Sequence, residues 1–109
     1  MIESHADIDA PALAARLLQG DSLVVLDVRE PWEFDVASLS NSTLVPLSTL
    51  PSAINRLERE LEYVVLCHHG ARSDMAANFM RSRGFSRVHN LVGGIEAWSI
   101  EVDPTVPRY

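Results

Sequence analysis

The chain has 109 residues, a size that fits one domain with one core, and 47% of them are apolar, which argues against disorder. Its formal net charge of −6 makes nucleic acid an unfavourable partner, because phosphate contacts need a basic patch. All nine basic residues are arginine, which excludes a P-loop lysine, a Schiff-base lysine and a Ser-Lys dyad within this chain.

The predicted elements alternate between helical patterns and short apolar runs, with turn signals every ten to twenty residues. That alternation predicts a single α/β domain over residues 1–109 with a mainly parallel sheet. The stretch Met1 to Asp7 is acidic and lacks the basic and apolar regions of a signal peptide. Ile2 is the candidate start of a short first strand. Asp9 is placed to cap a helix with Pro11 in its first turn, Leu13, Leu17 and Leu18 on one face, and Gly20 at its end. Leu23 to Val28 is continuously apolar up to Leu26 and predicts a strand covered on both faces. The run Leu23-Val24-Val25-Leu26 is far too short to span a bilayer. A short helix is expected over Glu30 to Val36, and a short strand at Leu44-Val45. Ser48 or Thr49 is placed to cap a further helix running to about Leu61, with Pro51 in its first turn.

Tyr63 to Leu66 predicts the next strand, and Cys67 follows it directly. Ser73 and Asp74 suit the start of the next helix, Ala76, Phe79 and Met80 form its core face, and Gly84 its left-handed end. Val88 to Leu91 predicts a final strand. Gly93-Gly94 then turns the chain into a last helix through Trp98, and residues 102–109 form an extended, Pro-rich tail. His5 and His89 are expected at the surface or at a strand end. Trp32 and Trp98 are expected to pack rather than to stack on a ligand.

Cys67 is the only cysteine, so no internal disulfide can form and a reducing cytoplasm is the expected setting. It opens the run Cys67-His68-His69-Gly70-Ala71-Arg72-Ser73, a strand-to-helix turn without an acid. A free thiol has a pKa of about 8.5, lowered by a helix N-terminus or a cation. Arg72, the positive end of the following helix and the two histidines act in that direction. Gly70 permits a tight loop whose N–H groups converge on the sulfur as an anion-binding nest. A lone cysteine is otherwise most often a small buried hydrophobe. Here the flanking glycine and arginine favour a catalytic thiolate. His68 and His69 are expected as solvated loop residues, because no acid stands beside them. A zinc site from Cys67, His68 and His69 is not expected, since neighbouring side chains diverge and a fourth ligand is not evident. No metal and no cofactor are predicted. Asp27 and Arg29 end the second strand on the side where α/β sheets place their sites. For both, a structural role is favoured, with Asp27 accepting loop N–H bonds and Arg29 paired with Glu30, Glu33 or another acid.

These residues carry a family resemblance. Leu26-Asp27-Val28-Arg29-Glu30-Pro31-Trp32-Glu33-Phe34, the loop Cys67 to Ser73, Arg83-Gly84-Phe85 and Leu91-Val92-Gly93-Gly94-Ile95-Glu96-Ala97-Trp98 resemble, in order, the motifs of the single-domain rhodaneses. The resemblance implies a five-stranded, mostly parallel sheet with helices on both faces. It implies that Cys67 carries a persulfide and that His68, His69, Gly70, Ala71, Arg72 and Ser73 supply the substrate cradle. One stretch departs from the family pattern. Ser38-Leu39-Ser40-Asn41-Ser42-Thr43 stands where a His-Ile-Pro-Gly-Ala-like segment is usual, and Asn41 is expected to hold the left-handed turn in place of glycine. Four residues separate Cys67 from Arg72, one fewer than in the similar dual-specificity phosphatases and arsenate reductases, which favours a sulfur atom over a phosphate.

The implied activity is sulfur transfer from thiosulfate or a similar anion to cyanide, glutathione or a protein thiol, with a sulfur-accepting protein as a further candidate partner and no membrane partner. The competing reading is an interaction or redox-sensing module with an incidental thiol. A phosphatase is the third and is disfavoured by loop length.

Overall fold

The structure, a computed structural model, describes residues 7–109. Helix α1 spans Ala10–Leu18, strand β1 Val24–Asp27, helix α2 Pro31–Val36 and strand β2 Thr43–Leu44. A broken helical segment follows, with α3 at Leu50–Ala53 between two 3₁₀ turns. Then come β3 at Tyr63–Leu66, α4 at Ala71–Ser82, β4 at Val88–Asn90 and α5 at Gly94–Glu101. Asp9 caps α1 as its sequence position demands, its carboxylate accepting from the Ala12 N–H at 2.9 Å.

The sheet is parallel with the order β2-β1-β3-β4. Among the described residues it has four strands, not the five that the resemblance implies. Ile8 forms a single bridge to Leu91, donating to Asn90 and accepting from Val92. The capping Asp9 and Pro11 turn the chain into α1 immediately afterwards, so the pairing does not run on beyond Ile8. Ile2 and His5 lie outside the described residues.

Alternate residues of the two central strands divide the core. Leu26, Val28, Val65 and Cys67 pack with Leu50, Ile54, Ala76 and Met80 under α3 and α4. Val25, Val64 and Leu66 pack with Leu13, Leu91, Ile95 and Trp98 under α1 and α5. The tail is not extended throughout: the Val106 N–H closes a turn on the Asp103 carbonyl at 3.1 Å, and Val106 is buried in the second of these clusters.

The helix expected to reach Leu61 ends early. Leu50, Ile54 and Leu57 face the core in a segment that tightens to a 3₁₀ turn at Ile54–Arg56, after which Leu57 is extended. The Thr49 hydroxyl donates backward to the Pro46 carbonyl at 2.9 Å and caps nothing. Beyond it, the Tyr63 hydroxyl donates to the Glu58 carbonyl at 2.8 Å and holds the chain in a loop. Asn41 adopts φ +64°, the left-handed conformation expected of it. No helix of the described residues is long and apolar enough to cross a membrane.

Candidate active site

Strands β1 and β3 are neighbours, but the chain leaves β1 towards β2 and leaves β3 towards β4. Such a reversal opens a crevice at the strand C-termini, where α/β sheets bind their ligands. Asp27 lies opposite Leu66 in the register, so the residues that follow each strand meet at this crevice. Cys67 leaves β3, and Gly70, at φ +120°, turns the chain into α4. Ala71 is the first, exposed residue of that helix. Ser73 therefore stands in the first turn rather than at the cap, and its hydroxyl is directed back to the sulfur.

Cys67 is 1% exposed. Its Sγ accepts from the Gly70 N–H at 3.1 Å and from the Ser73 hydroxyl at 3.3 Å. Burial pushes the thiol pKa up. The Ser73 hydroxyl and the N–H groups of Ser73, Gly70 and His69 outweigh it, so the pKa lies below its ordinary value. Asn90, at the end of β4, was not foreseen as part of this site. Its Oδ1 lies 2.5 Å from the Ser73 hydroxyl and its Nδ2 donates to the Gly70 carbonyl at 3.2 Å. Its only sequence signal is its place just before the Leu91-Val92-Gly93-Gly94 run.

Arg72 makes no hydrogen bond to the sulfur, although its positive charge and an anionic Cys67 favour one another. Its guanidinium forms a two-pronged ion pair with Glu33 of α2, at 2.6 and 3.0 Å, which neutralises it. The hydrogen bonds to the sulfur do most to lower the Cys67 pKa. Glu33 is buried, accepts also from Tyr109 at 2.7 Å, and closes a capping box with Glu30. Arg72 holds its carboxyl at a pKa of about 2 despite burial, with the Glu30 N–H and Tyr109 assisting. A depressed carboxyl stabilises the fold above its unfolded pKa of about 4.3, and that stability disappears as pH falls towards 2. Glu33→Gln is therefore expected to cost on the order of 2–3 kcal/mol at pH 7. Urea unfolding should show the difference from wild type shrinking below about pH 4. A constant difference down to pH 2 would refute the assignment.

Arg29 is fully buried and paired with Asp27, Nη2 to Oδ2 at 2.7 Å. It also donates to the carbonyls of Ala37 and Glu33 and to the Tyr109 hydroxyl. Both residues hold the β1–α2 turn, and Asp27 accepts the Arg29 backbone N–H as a loop acceptor should.

The two histidines differ from expectation. Their side chains do not diverge: the rings stack, with centroids 4.0 Å apart and planes at 20°. An acid does stand near them, Glu96 of α5, whose Oε1 is 4.0 Å from His68 Nε2. Burial and the neighbouring His69 push the His68 pKa below its usual value. Tyr109 stacks on His68 with centroids 4.0 Å apart, and Trp32 meets Tyr109 edge-on at 5.9 Å. Tyr109 was invisible to sequence reasoning because nothing local marks a tail residue as part of a distant site. Trp98 packs in the core as expected, while Trp32 is 60% exposed. His89 sits in β4 with Nε2 2.7 Å from Glu62.

A family model described as Rhodanese-like domain matches residues 10–101. The chain is 34% identical over 85 residues to "Thiosulfate sulfurtransferase GlpE" of Tolumonas auensis, covering 78% of this chain and 80% of that protein. It is 41% identical over 93 residues to "Rhodanese-like/PpiC domain-containing protein 12, chloroplastic" of Arabidopsis thaliana, covering 82% of this chain but 31% of that protein. Several curated relatives are thus much longer than the chain. A rhodanese-related protein of Thermoplasma volcanium has a crystal structure that superposes with a TM-score of 0.83 at 36% identity, covering 95% of this chain and 99% of that one.

Proposed function

The chain belongs to the rhodanese-like domain family, and from that premise we propose that it is a sulfurtransferase that carries sulfane sulfur on Cys67. The observation that carries this reading is the polar cradle around the sulfur, in which the Gly70 N–H donates at 3.1 Å and the Ser73 hydroxyl, whose one proton is shared with Asn90 Oδ1, stands 3.3 Å away. Both favour an anion at that atom, first a thiolate and then a persulfide.

The reaction has two steps. The Cys67 thiolate attacks the outer sulfur of thiosulfate, a new S–S bond forms, and sulfite leaves with the electron pair of the bond it loses. A thiophile such as cyanide, glutathione or a protein thiol then attacks the outer sulfur and regenerates the thiolate. This is covalent catalysis with ping-pong kinetics. The substrates are a small anionic donor and a thiol or cyanide acceptor, and the cradle comprises His68, His69, Gly70, Ala71, Arg72 and Ser73. A lone free thiol fits a reducing compartment such as the cytoplasm.

The test is intact mass after incubation with thiosulfate. A gain of one sulfur, removed by cyanide with release of thiocyanate and missing from Cys67→Ala, is the expected result. No gain on folded, reduced protein would count against the reading.

The near-complete burial of Cys67 favours a second reading, an interaction module with an incidental thiol. Thiol alkylation against pH separates the two. Catalysis predicts a midpoint below the ordinary value of about 8.5, moved upward by Ser73→Ala. An ordinary midpoint, unmoved by that substitution, would favour the module.

A further inference from the structure

Asn90 ends β4 opposite Val65, on the face of the sheet that also carries Cys67. Its amide brings Oδ1 to the Ser73 hydroxyl at 2.5 Å and donates from Nδ2 to the Gly70 carbonyl at 3.2 Å. The second bond sets the first. With Nδ2 on the Gly70 carbonyl, the amide oxygen and not the nitrogen meets Ser73. The Ser73 hydroxyl has one proton to give. Three acceptors lie within its reach: Asn90 Oδ1, the Gly70 carbonyl at 3.2 Å and Cys67 Sγ at 3.3 Å. The Gly70 carbonyl already accepts from the Asp74 N–H at 3.0 Å and from Asn90 Nδ2, which fills both its lone pairs. The proton therefore goes either to the amide oxygen or to the sulfur. As a thiol, Cys67 can donate its own proton to Ser73 Oγ while Ser73 donates to Asn90, and the buried chain is satisfied. As a thiolate, the sulfur can only accept. The Ser73 hydroxyl then turns towards it, and Asn90 Oδ1 gives up its bond from Ser73 inside a site where Ser73 is 0% and Asn90 6% exposed.

We propose that Asn90 is a positioning residue that competes with the Cys67 sulfur for the single Ser73 proton, holding it while the sulfur is a thiol and releasing it to the thiolate. Asn90 thereby opposes ionisation, while the Gly70 N–H favours it. A thiolate that is stabilised too far is a weaker nucleophile, and sulfur exchange is fastest when the thiol titrates near the ambient pH. Asn90 holds the sulfur back from that excess. The titratable and charged groups around the loop are the Asp27–Arg29 pair after β1, Glu33 of α2 with Arg72 of α4, His68 and His69 of the loop itself, and Glu96 of α5. A change at position 90 replaces none of them. The inference rests on the reading of Cys67 as a nucleophilic thiolate. Ionisation is read without any sulfur donor or acceptor, so its failure and a failure of sulfur transfer are separate results.

The experiment follows the ultraviolet absorbance of the thiolate against pH in the reduced protein, with Cys67→Ser as the blank. Asn90→Leu keeps the branched shape of the side chain and removes its oxygen, while the Gly70 carbonyl retains the Asp74 N–H. This variant is expected to lower the midpoint by about one pH unit. The same substitution made on Ser73→Ala should leave the midpoint of that variant unchanged, because no hydroxyl proton remains to compete for. A purely structural role has the opposite sign: a loosened loop takes the donors off the sulfur and raises the midpoint. A midpoint that rises or stays in Asn90→Leu, or that falls equally on the Ser73→Ala background, would overturn the proposal. Circular dichroism checks the fold, and Asn90→Ala carries the same expectation if the leucine variant does not fold.

Discussion

Cys67→Ser is expected to abolish sulfur transfer while the fold persists. Serine preserves the shape of the site, and its hydroxyl can use the same two contacts, the Gly70 N–H and the Ser73 hydroxyl. It cannot form a persulfide, and an alcohol is not ionised at neutral pH. Loss of a covalent nucleophile typically costs on the order of 10³-fold or more in turnover. The cost in stability should be about 1 kcal/mol or less, because the buried polar atom keeps its partners. Thiocyanate formation from thiosulfate and cyanide measures the first effect, and urea unfolding the second. Turnover within tenfold of wild type would place the chemistry on another group.

Gly94→Ala is expected to damage both the fold and the site. Gly94 has φ +61°, and a Cβ there would lie 2.5 Å from the Cys67 carbonyl oxygen, 2.6 Å from the His68 carbonyl carbon and closer still to the His68 carbonyl oxygen. These are backbone atoms of the Cys67 loop and cannot rotate away. The left-handed conformation costs roughly 1–2 kcal/mol for an L-residue, and overpacking typically about 1–3 kcal/mol. A loss of about 3 kcal/mol is therefore expected in urea unfolding, large against a domain stability of about 5–15 kcal/mol. Any molecules that remain folded must move the loop off α5. The bonds from the Ile95 and Glu96 N–H groups to Cys67 and His68 would lengthen, and the sulfur would leave its donors. Thiosulfate turnover should fall alongside stability. Wild-type stability and turnover in Gly94→Ala would show that the close approach is not required.

The site was partly legible because its chemistry is local. Cys67 follows an apolar strand, Gly70 can make the turn, and Ser73 follows Gly70 by three residues in the first turn of the helix. That spacing alone brings N–H groups and a hydroxyl to the sulfur. Tyr63–Leu66 was likewise visible as a strand, since a residue run buried on both faces has no polar positions. The long helix after Pro46 was misjudged because Leu50, Ile54 and Leu57 satisfy a helical period and a tighter 3₁₀ turn equally well. The fifth strand was overstated because a family pattern does not say how many residues pair at an edge.

Arg72 shows the limit of reasoning from one loop. Near a thiol in sequence, a guanidinium suggests thiolate stabilisation, yet its partner Glu33 is 39 residues away and claims both prongs. Glu96, Asn90 and Tyr109 entered the site from three later segments, each through contacts that span more than fifteen residues.

By itself, the sequence determined the order of elements, the strand-to-helix turn that carries the lone thiol, and the glycines at its tightest points, because backbone preference and hydrophobic period act over a few residues. Only the tertiary structure decided which charges neutralise which, that the tail returns to stack on His68, and that Glu96 faces the two histidines. Side-chain partners depend on which strand ends and helix faces meet in space, and that is set by the packing of the whole domain.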